Sequence, residues 1–312
     1  MNRHQNDRAA FALGMLTVLC WSTVATAFKL TLRHADVFQL LLYSSFTAAV
    51  CLYLILAARG QARSVWRLHR GDYLRCAGLG LLNPLCYYLV LFKAYDLLPG
   101  QVAQALNYTW VITLMLLSVP LLRQKMTRRD AGAAAVCYAG AVVVCVGGGT
   151  LPPEAISGAG VALALGSTVL WSLYWIGKTR DPLDPVISLF LSFLFSLPLV
   201  AVVCWAFSDP ARMDMPGLLG AVYVGLFEMG ITYVFWLLAL QYAESASKVS
   251  TLIFLSPFLS LVFLHFVAAE PIAPTTFLGL LLIAAGLLGQ RFPASAAPLA
   301  AVKTQGPGMG TP

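Results

Sequence analysis

One acidic side chain, Glu228, stands in the run GLFEMGITYVFW (225–236), about twelve residues into a stretch that is otherwise apolar from Gly217 to Leu240. A charge at the centre of an apolar helix costs roughly 2.5–3.5 kcal/mol, so a carboxylate there must carry a proton, meet a partner or face water. It then serves either as a neutral carboxyl bonded to a neighbouring helix or as a cavity group that binds substrate or protons. The run GLLNPLCYY (80–88) has the same spacing, a glycine three residues before a polar residue and a tyrosine five after, with Asn83 in place of the acid. Gln101, Gln104, Asn107 and Tyr108, followed by Trp110, form a polar stripe on an apolar helix, and either glue helices together or wall a cavity. Ser247, Ser250 and Thr251, with Ser256-Pro257 beyond, form a second stripe equally suited to close packing. Trp21, Trp110, Trp171, Tyr87 and Tyr88 lie deep in apolar stretches, away from the interfacial belt that aromatic residues favour. They are core packing or the faces of a cavity for flat apolar, aromatic or cationic ligands.

The elements that hold these residues are membrane spans. The 312 residues are 59% hydrophobic and 11% charged with mean hydropathy +0.79, more apolar surface than a soluble core of this size hides. A span needs about 20 apolar residues, and ten stretches qualify: 9–29, 36–58, 74–96, 100–122, 131–149, 157–177, 185–207, 215–241, 246–268 and 273–290. The first lacks an A-x-A cleavage site and reads as a retained helix. A short tail, 1–8, precedes it, and the Pro/Gly/Ala-rich 291–312 reads as a disordered tail.

Lysine and arginine set the orientation. With the N-terminus in the cytoplasm, sixteen of the twenty fall on that side: Arg3, Arg8, the clusters Arg59–Arg75 and Arg123–Arg129, Lys178, Arg180, Lys248, Arg291 and Lys303. Arg33 and Arg212 fall outside, and Lys29 and Lys93 sit at outer helix ends within snorkelling reach of the interface. Both termini are then cytoplasmic. The net charge of +7 belongs with anionic lipid headgroups and calls for no nucleic acid. The seven cysteines form no C-x-x-C and read as small buried apolar groups, with neither metal nor disulfide.

Gly80-Leu81, Asn83, Tyr88 and Ala94 recur 145 residues later as Gly225-Leu226, Glu228, Tyr233 and Ala239. Trp21-Ser22 matches Trp171-Ser172, and Ala139-Gly140 matches Ala285-Gly286, at offsets of 150 and 146. Two five-helix repeats, 9–149 and 150–290, follow, and because five is odd the second enters the membrane upside down. Inverted repeats characterise secondary transporters, whose substrate site lies at the midplane between the halves. Pro84 and Pro257 are candidate hinges or site-forming breaks. Gly177-Lys178-Thr179 has Ser172 where a phosphate-binding loop needs its first glycine, so ATP-driven transport lacks support, and no cofactor is implied.

Ten spans, a five-plus-five inverted repeat and very short loops resemble the drug/metabolite transporter superfamily, specifically its ten-helix EamA-type exporters. Within it, ALNYTWVIT (105–113), Trp21-Ser22 and Asn83 are similar to the branch that exports aromatic and other neutral amino acids. The resemblance implies an all-α membrane protein of the cell inner membrane, no enzyme, that exports amino acids by alternating access and needs no obligate protein partner. It also implies a central cavity lined by Trp21, Asn83, Tyr87, Tyr88, Gln104, Asn107, Tyr108, Trp110, Trp171, Tyr174, Trp175 and Glu228. Tyr174 and Trp175 enter because they continue the aromatic end of span six. Many relatives carry an acid before the proline of span four or nine, where this chain has Thr109-Trp110 and Ser256-Pro257. Proton coupling then falls to Glu228, the only deep carboxylate. Flat organic cations or other metabolites are the alternative cargo, with Glu228 as counter-charge. A membrane-embedded lipid-modifying enzyme is a remote third reading, since no cluster of catalytic groups accompanies it.

Overall fold

The computed structural model describes residues 3–123, 126–146, 156–243 and 251–289. Among them, regular secondary structure is entirely helical. Lys125, Lys248, Arg291 and Lys303, the stripe residues Ser247 and Ser250, and the tail 291–312 lie outside the described residues.

Helix α1 spans Arg3–Thr31 and α2 Val37–Ala58. The third stretch is broken: α3 (Arg70–Gly80) passes through a wide turn, Leu81–Cys86, into α4 (Tyr87–Leu97). The fourth is broken too, into α5 (Gly100–Asn107) and α6 (Trp110–Leu122). Then come α7 (Arg128–Val146), α8 (Gly158–Lys178) and α9 (Pro185–Phe207). The eighth stretch divides into α10 (Met215–Phe227) and α11 (Ile231–Tyr242). A 3-10 turn, Thr251–Leu255, leads into α12 (Ser256–Phe266), and α13 (Pro274–Gly289) ends the described chain. Among the described residues, seven helical stretches, the broken ones included, are long and apolar enough to cross a bilayer, and Leu252–Phe266 and Pro274–Gly289 are shorter apolar helices.

Capping residues fix where helices begin. Asp36 accepts from the Phe38 and Gln39 amides at 2.8 and 2.9 Å, and Gln39 reaches back to the Asp36 amide at 3.1 Å, a reciprocal capping box. Asp184 and Asp214 cap α9 and α10, each with proline in the first turn, where the missing N–H is no loss. Pro257 likewise sits in the first turn of α12. Pro84 is different, lying inside the break beside Asn83, whose backbone (φ −146°, ψ 116°) is extended.

Helix α1 packs on α10, α11 and α12; α2 on α9 and α10; α3 on α9; α8 on α4 and α6; and α7 on α13. Several of these contacts need glycine, among them α7 on α13, where Gly140 and Gly279 meet backbone to backbone. A β-carbon at Gly80 would run into the Ser192 backbone carbonyl of α9, and one at Gly225 would lie 2.5 Å from the Ser44 carbonyl of α2. Gly78, two residues away on α3, has nothing within 4 Å of the same atom. Gly80→Ala is therefore expected to lower the melting temperature of the purified protein by several degrees, and Gly78→Ala to leave or raise it, since alanine alone favours a helix by about 1 kcal/mol. Equal melting temperatures would show that α3 and α9 are not in backbone contact.

Two polar knots tie helix ends at opposite ends of the α3–α4 stretch. At the end of α1, Lys29 Nζ donates to the Tyr95 and Leu98 carbonyls, both at 3.0 Å, and faces Glu270 at 3.8 Å. Glu270 in turn accepts from the Gly100 amide at 2.8 Å. Lys29 is thus held inside the protein instead of reaching outward. At the end of α8, Lys178 donates to Asp181 at 2.9 Å and to Ser188, and Arg75 of α3 lies 3.8 Å from Asp181. Burial opposes ionisation of Asp181, but the Lys178 ammonium and the Ser188 hydroxyl hold its carboxyl below the usual range.

Candidate aromatic and carboxylate site

The helix breaks position the polar groups. Glu228 caps the end of α10 (φ −101°, ψ −51°), and the chain turns at Gly230 (φ −109°, ψ −100°) before α11 starts. Asn83 occupies the equivalent break of α3–α4. Broken helices free backbone groups and bring side chains to mid-depth, tolerable only where protein or water satisfies them.

Tyr88 Oη donates to Glu228 Oε1 at 3.0 Å, joining α4 to the α10–α11 break. Its neighbour Tyr87 donates to Asn107 Oδ1 at 3.5 Å, and Asn107 Nδ2 donates to Ser167 of α8 at 3.0 Å. Through the touching rings of Tyr87 and Tyr88, one chain of side chains therefore links Glu228 to Ser167 across four helices. Around it stand rings with Trp171 at the centre. Tyr87 stacks on Trp171 with centroids 4.5 Å apart and planes 27° apart, and Tyr174 stacks at 5.5 Å. Trp110, Trp175 and Tyr233 meet Trp171 edge-on at 6.2, 5.8 and 6.4 Å. Trp21 joins through Tyr233 at 5.8 Å. Such offset and edge contacts are the geometries that aromatic quadrupoles favour.

Of the residues expected at the site, Trp21, Tyr87, Tyr88, Asn107, Trp110, Trp171, Tyr174, Trp175 and Glu228 are joined by these contacts. Asn83 interacts with Tyr174 and is 1% exposed, yet its Oδ1 has no hydrogen-bond partner among the described residues. The same holds for Gln104 Oε1 and Trp175 Nε1. Tyr108, at the α5–α6 break, interacts with Ser256 of α12 and lies within the field of Glu228. Gln101 does not join: its amide donates to the Pro271 carbonyl at 2.7 Å and accepts from the Ala273 amide and Thr276, gluing α5 to α13. The polar stripe thus divides between glue and site.

Tyr233 was not among the expected residues, although its repeat match to Tyr88 marked it. A groove of about 480 Å³ between α2 and α10 is lined by Phe46, Val50, Leu54 and Leu226 among others. It opens on an apolar outer face and carries none of the ring's polar groups.

The sequence model of the EamA-like transporter family matches residues 8–146 and 158–290. The chain is 26% identical to the aromatic amino acid exporter YddG of Ancylobacter novellus, over 90% of this chain and 94% of that protein. It is 25% identical to an uncharacterized transporter of Archaeoglobus fulgidus, over 87% of this chain and 95% of the relative. A crystal structure aligns with a TM-score of 0.63 at 23% identity, over 90% of this chain and 96% of that one, a likeness of fold alone.

Proposed function

The chain belongs to the EamA-like transporter family, and from that premise we propose that it exports aromatic or neutral amino acids across the cell inner membrane as a secondary transporter. It works by alternating access between two five-helix halves inserted in opposite senses, with both termini in the cytoplasm. The ring around Trp171 and Glu228 is its substrate site, and this cluster carries the reading. A stack of aromatic faces beside one carboxylate and several amides suits an aromatic amino acid, whose ring needs flat partners and whose ammonium needs an acceptor.

Several observations support the twin halves. Exchanging the first five helical stretches for the second preserves most of the packing list: α1 on α11 answers to α8 on α4, α1 on α12 to α8 on α6, and α2 on α10 to α9 on α3, while α1 on α10 has no counterpart of like extent. Gly80 against Ser192 answers to Gly225 against Ser44. Breaks fall at Asn83 and Glu228, 145 residues apart. The family match falls into two stretches of similar length. Two interconvertible packings related by symmetry are what alternating access requires.

Flux into and out of reconstituted vesicles, measured with labelled aromatic and aliphatic amino acids and an imposed pH gradient, tests this. Saturable flux of the aromatic members is expected, together with a response to the gradient that Glu228→Gln removes. Absence of saturable flux for every amino acid defeats the substrate assignment; an unchanged pH response in Glu228→Gln makes the carboxylate structural.

A further inference from the structure

Resting on the reading of the ring as a substrate site, we infer that it recognises its ligand by the ammonium group, through Glu228, so that aromatic primary amines lacking a carboxylate are ligands as well. The first ground is charge. No cationic side chain among the described residues pairs with Glu228, whose Oε1 takes the Tyr88 hydroxyl and whose Oε2 receives no hydrogen bond from them. A zwitterion brings one group that this carboxylate attracts and one that it repels. An amine brings only the first.

The second ground is the balance of donors and acceptors. The hydroxyls of Tyr87 and Tyr88 are engaged with Asn107 and Glu228, the Asn107 amide with Ser167, and the Ser172 hydroxyl with the Trp110 carbonyl at 3.1 Å. Open acceptors are Glu228 Oε2, Asn83 Oδ1 and Gln104 Oε1, the last two on residues 1% and 5% exposed. Among the fully buried atoms of these residues that lack a partner, Asn83 Oδ1 and Gln104 Oε1 are acceptors and Trp175 Nε1 is a donor. A buried acceptor without a donor keeps its full desolvation cost until a ligand supplies an N–H. Glu228 Oε2, an acceptor beside the rings, suits an ammonium, which brings N–H groups, far better than a carboxylate, which brings none. The third ground is the aromatic ring cluster itself, since aromatic faces attract a cation and Trp110, edge-on to Trp171, is only half-buried.

Purified full-length protein in detergent is titrated by calorimetry with 2-phenylethylamine, phenylalanine and 3-phenylpropionate, which share one ring and differ only in the charged groups. The amine is expected to bind at least as tightly as the amino acid, and the acid about tenfold or more weakly, the scale of a charge-assisted hydrogen bond. Glu228→Gln should weaken the amine by about tenfold or more, while Glu228→Asp, which keeps the charge, retains part of the affinity. The three-ligand comparison needs no variant, so it stands even if Glu228→Gln does not fold. Equal or tighter binding of 3-phenylpropionate overturns the inference, as does failure of all three to bind, or an amine affinity that Glu228→Gln leaves unchanged. Amino-acid flux without amine binding removes this inference and leaves the exporter reading; amine binding without amino-acid flux does the reverse.

Discussion

Trp171→Ala is expected to reduce the initial rate of aromatic substrate transport by tenfold or more in reconstituted vesicles, and Trp171→Phe to retain much of it. Trp171 is 9% exposed and touches the rings of Tyr87, Tyr174, Trp110, Trp175 and Tyr233. Each such aromatic pair contributes about 0.5–1.5 kcal/mol beyond area burial. Truncation of a buried tryptophan costs about 3–5 kcal/mol in stability, so part of the effect is structural. Phenylalanine separates the two. It restores one ring at the stacking position against Tyr87 and Tyr174 while giving up the reach toward Trp110 and Trp175. A stable Trp171→Ala protein that carries aromatic substrates at the wild-type rate would show that the ring only packs.

Much of this cluster of rings and polar groups was legible in the residues. Glu228 and Asn83 were conspicuous because apolar helices rarely keep such groups, and the structure places both at helix breaks. The breaks themselves followed less directly. Pro84 marks one, but nothing of proline's kind marks the α10–α11 turn, where a glycine two residues after Glu228 carries the change of direction. Helical spacing put Gln101, Gln104 and Asn107 on one stripe, yet spacing along a helix says which residues share a face and not what lies opposite each turn of it. Gln101 meets the α12–α13 connection and Asn107 meets α8. Depth counted along a span also failed to place Lys29: its distance from the helix end suggested the interface, whereas the carbonyls of Tyr95 and Leu98 receive it. Those acceptors lie in the last turn of α4 and just past it, where the chain turns toward α5 on a path that no periodicity describes.

The internal match extends further than the stretches that first revealed it, and where it ends is informative. Lys29 and Lys178 stand 149 residues apart, each in the last turn of the first helix of its proposed half. Their partners differ in kind. Lys178 is bonded to Asp181 and Ser188, close in sequence within one half, whereas Lys29 reaches across to Glu270 of the other. In the proposed alternating-access cycle, identical counterparts at the two ends would make the two states equal in energy, and unequal ones would favour one of them. Each end has an ion pair across the proposed halves at 3.8 Å, Lys29 with Glu270 and Arg75 with Asp181, and the Lys29 end adds the Gly100 amide on Glu270 and Arg33 on the Ala268 carbonyl at 2.6 Å.

Glu270→Ala is accordingly expected to loosen that end alone. It strips the acceptor from the first amide of α5 and the counter-charge from a lysine whose side chain is 20% exposed. Loss of a hydrogen bond to a charged group at such a place costs on the order of 2 kcal/mol, enough to speed local opening by more than tenfold. Hydrogen exchange read by mass spectrometry should show this in the peptide covering residues 95–107, with the Arg70–Gly80 segment at the opposite end unchanged. A uniform rise over both segments would mean general destabilisation, and no rise in 95–107 would mean that Glu270 does not fasten the halves. Glu270→Gln, which can still accept from the Gly100 amide but has no charge for Lys29, should give an intermediate rate and so apportion the effect between the cap and the ion pair.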